Sequence, residues 1–434
     1  MSKILIRNAF TVKRLLGLGS DDRVTIHVAT ENNRIASVSE QPIEGHFDSV
    51  IDATGLFLSP GLVDPQVHFR EPGSEYKEDI ESGSKAAVKG GFTSVISMPN
   101  TRPTADNPEV VAFMANRSKK LGICKVYPTG ALSMGLAGQT MTDFAALKEA
   151  GAVAITDDGK GVQDDKLFLQ ALRSARQLNL PVLDHSEDES LSNGGAIHEG
   201  DISRKFGLKG IKANSESMHV ERGCRMSEET GAHYHVLHIS TRESIDAVRF
   251  AKAKGIPVTA EVSPHHLLLC DEDIRLRKDN SLDANWKMNP PLRSRADKEA
   301  CQQALLDGTI DAIATDHAPH SPTEKAQPIE SAPFGIIGLE TAFPLIYSHF
   351  VRTGQLSLGS CIDLMSKQAG ALFNLECGRI QVGAAADLCL LDLETAFVVC
   401  DKFFASKSTN SPFIGETLYG RTRMTMTEGR VVYT

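Results

Sequence analysis

A chain of 434 residues with 46 basic against 55 acidic side chains and a formal net charge of −9 exceeds the usual size of a single core, so one large barrel with a smaller satellite, or two domains, is expected. The charge balance, with no Lys/Arg run and no basic patch interleaved with aromatics, excludes a nucleic-acid surface. The opening MSKILIRNAF alternates like a strand and lacks the apolar core of a signal peptide, and no segment approaches bilayer-spanning length, so a cytoplasmic protein without membrane contact is expected.

Residues 1–56 give short alternating runs, KILIRNAF, TIHVAT, RIASVS and SVIDATG, with no helix-period segment between them. From about residue 60 to 320 the style changes to apolar runs alternating with helix-period segments, the signature of repeated strand–helix units around a parallel sheet. Eight strands are expected: GLVDPQVH (61–68), FTSVISM (92–98), CKVYPTG (124–130), AVAITDD (152–158), PVLDH (181–185), YHVLHI (234–239), PVTAEV (257–262) and DAIATD (311–316). Amphipathic stretches such as 108–122, 166–179 and 242–255 carry apolar residues at three-and-four spacing between them. The pattern predicts an α/β fold with a TIM-like (β/α)8 barrel over 57–378, an open doubly wound sheet being the alternative. The stretch 379–434 returns to the first style in ADLCLLDL and RVVYT, so 1–56 and 379–434 are expected to meet as one small composite β-sandwich domain. The eight cysteines are scattered without a CxxC pair, which predicts reduced thiols and leaves metal chemistry to imidazole and carboxylate.

The polar residues fall at one end of this ladder. His68 closes the first strand, Asp158 the fourth, His185 the fifth, His238 the sixth and Asp316 the eighth. In a barrel, groups at the carboxyl ends of different strands converge over one mouth. Any one of them alone is more readily a hydrogen-bonded histidine or a helix cap. Together, TDDGKGVQ, LDHSED, LHIST, AEVSPHHL, MNPPLR and ATDHAPH set polar groups after apolar strands too often for that, and the donor types suit a zinc-like ion. Arg70, two residues past His68, offers a planar fork matched to a carboxylate and so points to an anionic substrate; the plainer alternative is an ion pair with Glu71 or Glu75 on the same loop.

With these motifs, and over nearly its whole length to the SPFIGETLYG tail, the chain resembles the dihydroorotases of the bacterial type I group within the amidohydrolase superfamily. The resemblance implies reversible hydrolysis of the ring amide of dihydroorotate to N-carbamoyl-L-aspartate in de novo pyrimidine biosynthesis, with one or two Zn2+ ions. It implies metal ligands at His68, Asp158, His185, His238 and Asp316, with Asp158 bridging and Asp316 also carrying the proton. Arg70, Asn100 and His320 would hold the substrate carboxylate, and Asn289 with the backbone around Phe334 and Gly335 the ring amides. DPQVHFREPG departs from the family pattern Asp-x-His-x-His-x-Arg-x-Pro-Gly, because Gln66 stands at the first His. A neutral amide is a weak zinc donor, so weakened or single-metal occupancy and reduced activity are expected. Lys160 lies two residues past Asp158, where many amidohydrolases use a carboxylated lysine; a solvated loop charge or a partner for Asp157 is the reading preferred here.

Two other functions fit parts of the sequence. A related cyclic amidase, allantoinase-like or dihydropyrimidinase-like, would act on rings without the carboxylate that Arg70 fits. A non-catalytic scaffold of aspartate transcarbamoylase would have no need of converging polar groups. The family resemblance also implies a homodimer or association with that transferase. The Pro-interrupted segment 321–335 is placed to cover the pocket.

Overall fold

The strands of the N-terminal arm form where β-branched and apolar residues alternate with polar ones. In the computed structural model, which describes residues 3–434, they are Lys3–Val12, Arg23–Glu31, Arg34–Ser39, Ser49–Asp52 and Phe57–Pro60. Leu388–Asp392, Arg421–Thr427 and Arg430–Tyr433 from the C-terminal end join them in one eight-stranded sheet. The seam is antiparallel pairing of Phe57–Pro60 with Leu388–Leu391, so those four residues, counted with the barrel in the sequence reading, hydrogen-bond within the terminal sheet. Phe10 packs edge-on against Phe57 at 5.4 Å under this sheet.

All eight strands expected between residues 61 and 316 are present, each shorter than its apolar run: Leu62–Val67, Phe92–Ser97, Lys125–Pro128 with Gly130–Ala131, Ile155–Thr156, Val182–Asp184, Tyr234–Val236, Val258–Val262 and Ala312–Ile313. Consecutive strands pair in parallel throughout. A parallel bridge between Val67 and His317, with the His68 N–H donating to the His317 carbonyl at 2.9 Å, joins the eighth segment to the first. The first two strands are buried at every position, as strands covered on both faces must be.

Helices fill the crossovers where the periodicity places them, and their starts are capped. Asn107 accepts from the Val110 N–H ahead of Pro108–Leu121, Asp164 from Lys166 and Leu167 ahead of Asp165–Gln177, and Thr241 from Ser244 ahead of Arg242–Ala253. Each such cap is worth about 1 kcal/mol. Apolar faces such as Phe168, Ala171, Leu172 and Ala175 pack onto the strands. All eight cysteines are free, and no described helix is long and apolar enough to cross a membrane.

Candidate active site

The short strands explain the site. The regular strands end at Val67, Thr156, Asp184, Val236 and Ile313, and the next one to three residues carry His68, Asp158, His185, His238 and Asp316. Three residues there hold left-handed backbone, Arg70 (φ 62°), His238 (φ 32°) and Asp316 (φ 48°). Such conformations cost of order ~1–3 kcal/mol each and gather at functional sites. Surrounding bonds hold them: Asp64, buried in the first strand, accepts from the Thr315 N–H at 3.0 Å and from the Thr315 hydroxyl, locking the eighth segment to the first. Burial pushes the Asp64 carboxyl up to about 7 despite those bonds.

One cavity of about 300 Å³ is lined by His68, Arg70, Asn100, Asp158, His185, His238, Asn289, Asp316, His320, Phe334 and Gly335. These are all the metal and substrate residues the resemblance implies; Gln66 lies fully buried with its Nε2 3.2 Å from Asp158 Oδ1 and does not line the cavity.

On one wall, ligand atoms of Asp158, His185 and His238 lie within 4.8 Å of one another. His185 Nδ1 is 3.0 Å from His238 Nε2 and 3.6 Å from Asp158 Oδ1, and His238 Nε2 is 3.7 Å from that oxygen. Beside them His68 Nε2 is 3.3 Å from Asp158 Oδ2 and 2.9 Å from Asp316 Oδ1. His68 Nδ1 is 3.0 Å from Asn100 Oδ1, so an N–H there would donate to Asn100 and free Nε2 for a cation set between it and the two carboxylates. Asp158 Oδ2 and Gln66 Oε1 have no hydrogen-bond partner although both are buried. Burial works against charge on Asp158, yet the bonds to His185 and His238 hold its carboxyl well below the usual range. Burial likewise opposes charge on His185, but Asp158 and Glu187 push it up to about 10. Nitrogen lone pairs, orphaned carboxylate oxygen and a field that draws positive charge inward are the donor set and potential that fit a divalent cation.

The opposite wall is cationic. Arg70 Nε donates to the Pro319 carbonyl at 3.3 Å, and its Nη2 lies 3.3 Å from His320 Nε2. The expected rivals are occupied elsewhere, since Glu71 pairs with Arg117 at 3.4 Å and Glu75 accepts from the Gly73 N–H. His320 Nε2 donates to the Phe334 carbonyl at 2.7 Å while Nδ1 accepts from Lys77 Nζ at 3.2 Å, which fixes a neutral imidazole. Burial, with Arg70 and Lys77 nearby, drives its pKa far down. The His320 N–H is therefore spent on the Phe334 carbonyl, and Arg70 Nη2, 3.3 Å from that nitrogen, finds no acceptor in it.

Several residues that hold this site went unread in the sequence. Glu187 accepts from His185 Nε2 at 3.0 Å and from Asn289 Nδ2 at 2.8 Å. The side chain of Asn410 accepts from the His320 N–H and donates to the Ala318 and Gly335 carbonyls. Lys325 Nζ donates to the Lys287 and Pro333 carbonyls, and Lys287 Nζ to those of Glu330 and Ala332, so two buried lysines hold the segment that presents Phe334 and Gly335. Only the acidic pair ending LDHSED offered any local signal. Lys160 is exposed, and Asp157 is taken by the Ser133 N–H and hydroxyl; the only bond between the two is from the Lys160 backbone N–H to the Asp157 carbonyl.

A family model described as dihydro-orotase-like matches residues 55–244. Among curated relatives, the dihydroorotase of Geobacillus kaustophilus (strain HTA426) is 50% identical over 408 residues, 94% of each chain. That of Bacillus pumilus (strain SAFR-032) is 47% identical over 429 residues, 99% of this chain and 98% of that one. Among solved structures, the L-hydantoinase (dihydropyrimidinase) of Arthrobacter aurescens superposes with a TM-score of 0.85 at 23% identity, covering 100% of this chain and 96% of its own. The dihydropyrimidinase of Brevibacillus agri NCHU1002 gives 0.83 at 21% identity, covering 99% and 95%. At those identities the structural likeness speaks for the fold.

Proposed function

This chain belongs to the dihydroorotase family, and from that premise we propose that it catalyses the reversible hydrolysis of dihydroorotate to N-carbamoyl-L-aspartate with a divalent cation, zinc by its donor set, held at the mouth of a closed (β/α)8 barrel. The link from the eighth strand segment to the first supports closure over an open doubly wound sheet. The eight-stranded terminal sheet supports a small composite β domain with its inner boundary near residue 60.

Asp158, His185 and His238 would hold the cation, and their convergence opposite Arg70 and His320 across one cavity carries the reading. A second position would draw on His68, Asp158 and Asp316, with Gln66 supplying only a neutral amide where the family has imidazole. A divalent cation held by these residues would lower the pKa of a coordinated water to ~7 and polarise the amide carbonyl. The protein does the rest. Arg70, whose Nη2 meets only the His320 imidazole, would close on the substrate carboxylate, with His320 and the Asn100 amide beside it and the His320 N–H turning from the Phe334 carbonyl if it joins. Asn289 and the backbone at Phe334 and Gly335 hold the ring amides. That arrangement sets the scissile carbonyl against Asp158 and Asp316. Asp316, at 2.9 Å from His68, accepts the proton of the attacking water and returns it to the departing ring nitrogen.

A ring without a carboxylate would leave the Arg70 fork unanswered, which disfavours an allantoinase-like or dihydropyrimidinase-like activity. A pure scaffold for aspartate transcarbamoylase would not need the convergence at all, although a homodimer or docking to the transferase is compatible with a working site. Stripping the protein with a chelator should abolish dihydroorotate turnover and zinc should restore it, while Asp316→Asn should lower kcat by ~10²–10⁴-fold with KM little changed. Turnover indifferent to both treatments would end this reading.

A further inference from the structure

We propose that Glu187 is a positioning residue that fixes, through one carboxylate oxygen, both the tautomer of His185 and the face that Asn289 shows to the substrate; the proposal rests on the cation-dependent reading above. Glu187 follows His185 by two residues, on the loop after the fifth strand, and its side chain is only 16% exposed. Its Oε2 lies 3.0 Å from His185 Nε2 and 2.8 Å from Asn289 Nδ2, and those two nitrogens are 3.1 Å apart.

The chemistry leaves one assignment. A carboxylate oxygen can only accept, so the atom of Asn289 facing it is the amide nitrogen and the Asn289 carbonyl must point the other way. Were His185 Nε2 unprotonated, its lone pair would face the carboxylate oxygen at 3.0 Å; with a proton there it donates. His185 then carries a proton on Nε2, and a cation that displaces any proton from Nδ1 would meet that nitrogen's lone pair 3.0 Å from His238 Nε2 and 3.6 Å from Asp158 Oδ1.

The loop itself is fixed. Gln163, after the fourth strand, donates Nε2 to the Glu187 carbonyl at 2.8 Å and accepts the Glu189 N–H at 3.1 Å. The Asp188 N–H donates to Ser215 at 2.7 Å. Glu187 is thus built into the wall, and its removal frees two groups at once: His185 to change tautomer or turn, and Asn289 to flip its amide. The first weakens the cation; the second loses an acceptor for a ring N–H, a contact that binds substrate without touching the reacting bond.

The test compares wild type, Glu187→Gln, which keeps a neutral acceptor, and Glu187→Leu, which keeps bulk and no acceptor. Zinc affinity is read by chelator competition, and KM and kcat are read on zinc-saturated protein. The expected order of affinity is wild type, then Gln, then Leu, with the Leu variant ~10–100-fold weaker. KM should rise in the same order by more than kcat falls. If the Leu variant does not fold, a Gln variant with wild-type circular dichroism and weaker zinc binding sustains the proposal. A Gln or Leu variant with wild-type zinc affinity and KM overturns it, even if its melting temperature drops. Wild-type protein that binds no divalent cation would instead fell the underlying reading, and that outcome is visible before any substitution is made.

Discussion

Replacing Gln66 by histidine tests the cation site at its weakest corner. Gln66 is fully buried, with Nε2 3.2 Å from Asp158 Oδ1 and Oε1 unpartnered. An imidazole reaches about as far from the backbone and so brings a nitrogen donor to the same spot. Asp158 Oδ2 and Asp316 Oδ1 lie within 3.3 Å of His68 Nε2, across the same carboxylate that Gln66 touches through Oδ1. The new ligand completes a four-donor set of the kind zinc favours. Loss of a mere outer partner costs 10–100-fold in metal affinity, so a full ligand should return about 100-fold or more. At about 1.4 kcal/mol per tenfold, that is roughly 2.8 kcal/mol. After dialysis against a weak chelator, elemental analysis should find about one more divalent cation per chain in Gln66→His than in wild type, with faster turnover. Gln66→Ala, which deletes the amide and adds nothing, should leave the metal content unchanged. Equal cation content in the wild-type and His forms would refute the assignment of this corner as a ligand position.

Two further substitutions probe the cationic wall. Arg70→Gln should cut kcat/KM for dihydroorotate by ~10–150-fold, the ~1.5–3 kcal/mol of a hydrogen bond to a charged group, with Arg70→Lys recovering only part because the fork is lost. A comparable loss on a neutral dihydropyrimidine ring would show that Arg70 does not read the carboxylate. Lys325 is the pH probe: burial, then Lys287, lower its pKa from 10.5 to about 7. Between those two values the unfolded chain holds the extra proton, so this residue makes stability rise with pH from about 7 to 10.5. Lys325→Met should remove that part of the rise, on the order of a few kcal/mol across the window. Thermal melts at several alkaline pH values measure it, and an unchanged slope would count against the buried-lysine account.

How far the sequence could be read follows from the range of the signals. Strands such as Phe92–Ser97 and Val258–Val262 are legible because β-branched, aromatic and small residues crowd into short buried runs between helix-period segments, and the rim residues because each follows such a run within three positions. Phe57–Pro60 was hidden because it runs into the next strand through Gly61 alone, and Arg421–Thr427 because its only apolar members are Met424 and Met426. The supporting side chains were out of reach for a different reason. Glu187 and Asn289 are 102 residues apart, and Asn410 and His320 are 90 apart. Nothing local marks such a pair, since the bond exists only once the strand ends have been brought to one mouth.

The polarity of that mouth explains how a fold shared with hydantoin-ring hydrolases serves an acid. Asp158 and Asp316 form one wall, with Glu187 behind; Arg70 and His320 form the other, with Lys77 and Lys325 behind. In the proposed mode dihydroorotate, with a carboxylate at one end and the scissile amide at the other, would enter in one sense, amide toward the cation. A neutral ring must desolvate Arg70 and return nothing to it, which costs about 1–3 kcal/mol for each group left unpaired and sets a penalty at binding. The open-chain product carries a second carboxylate, born at the anionic wall. In the proposed reading it would face Asp158 and Asp316 directly without a cation, so its binding for ring closure would depend on that charge. Because the equilibrium constant fixes the ratio of kcat/KM in the two directions, a ligand missing at Gln66 would lower both by the same factor.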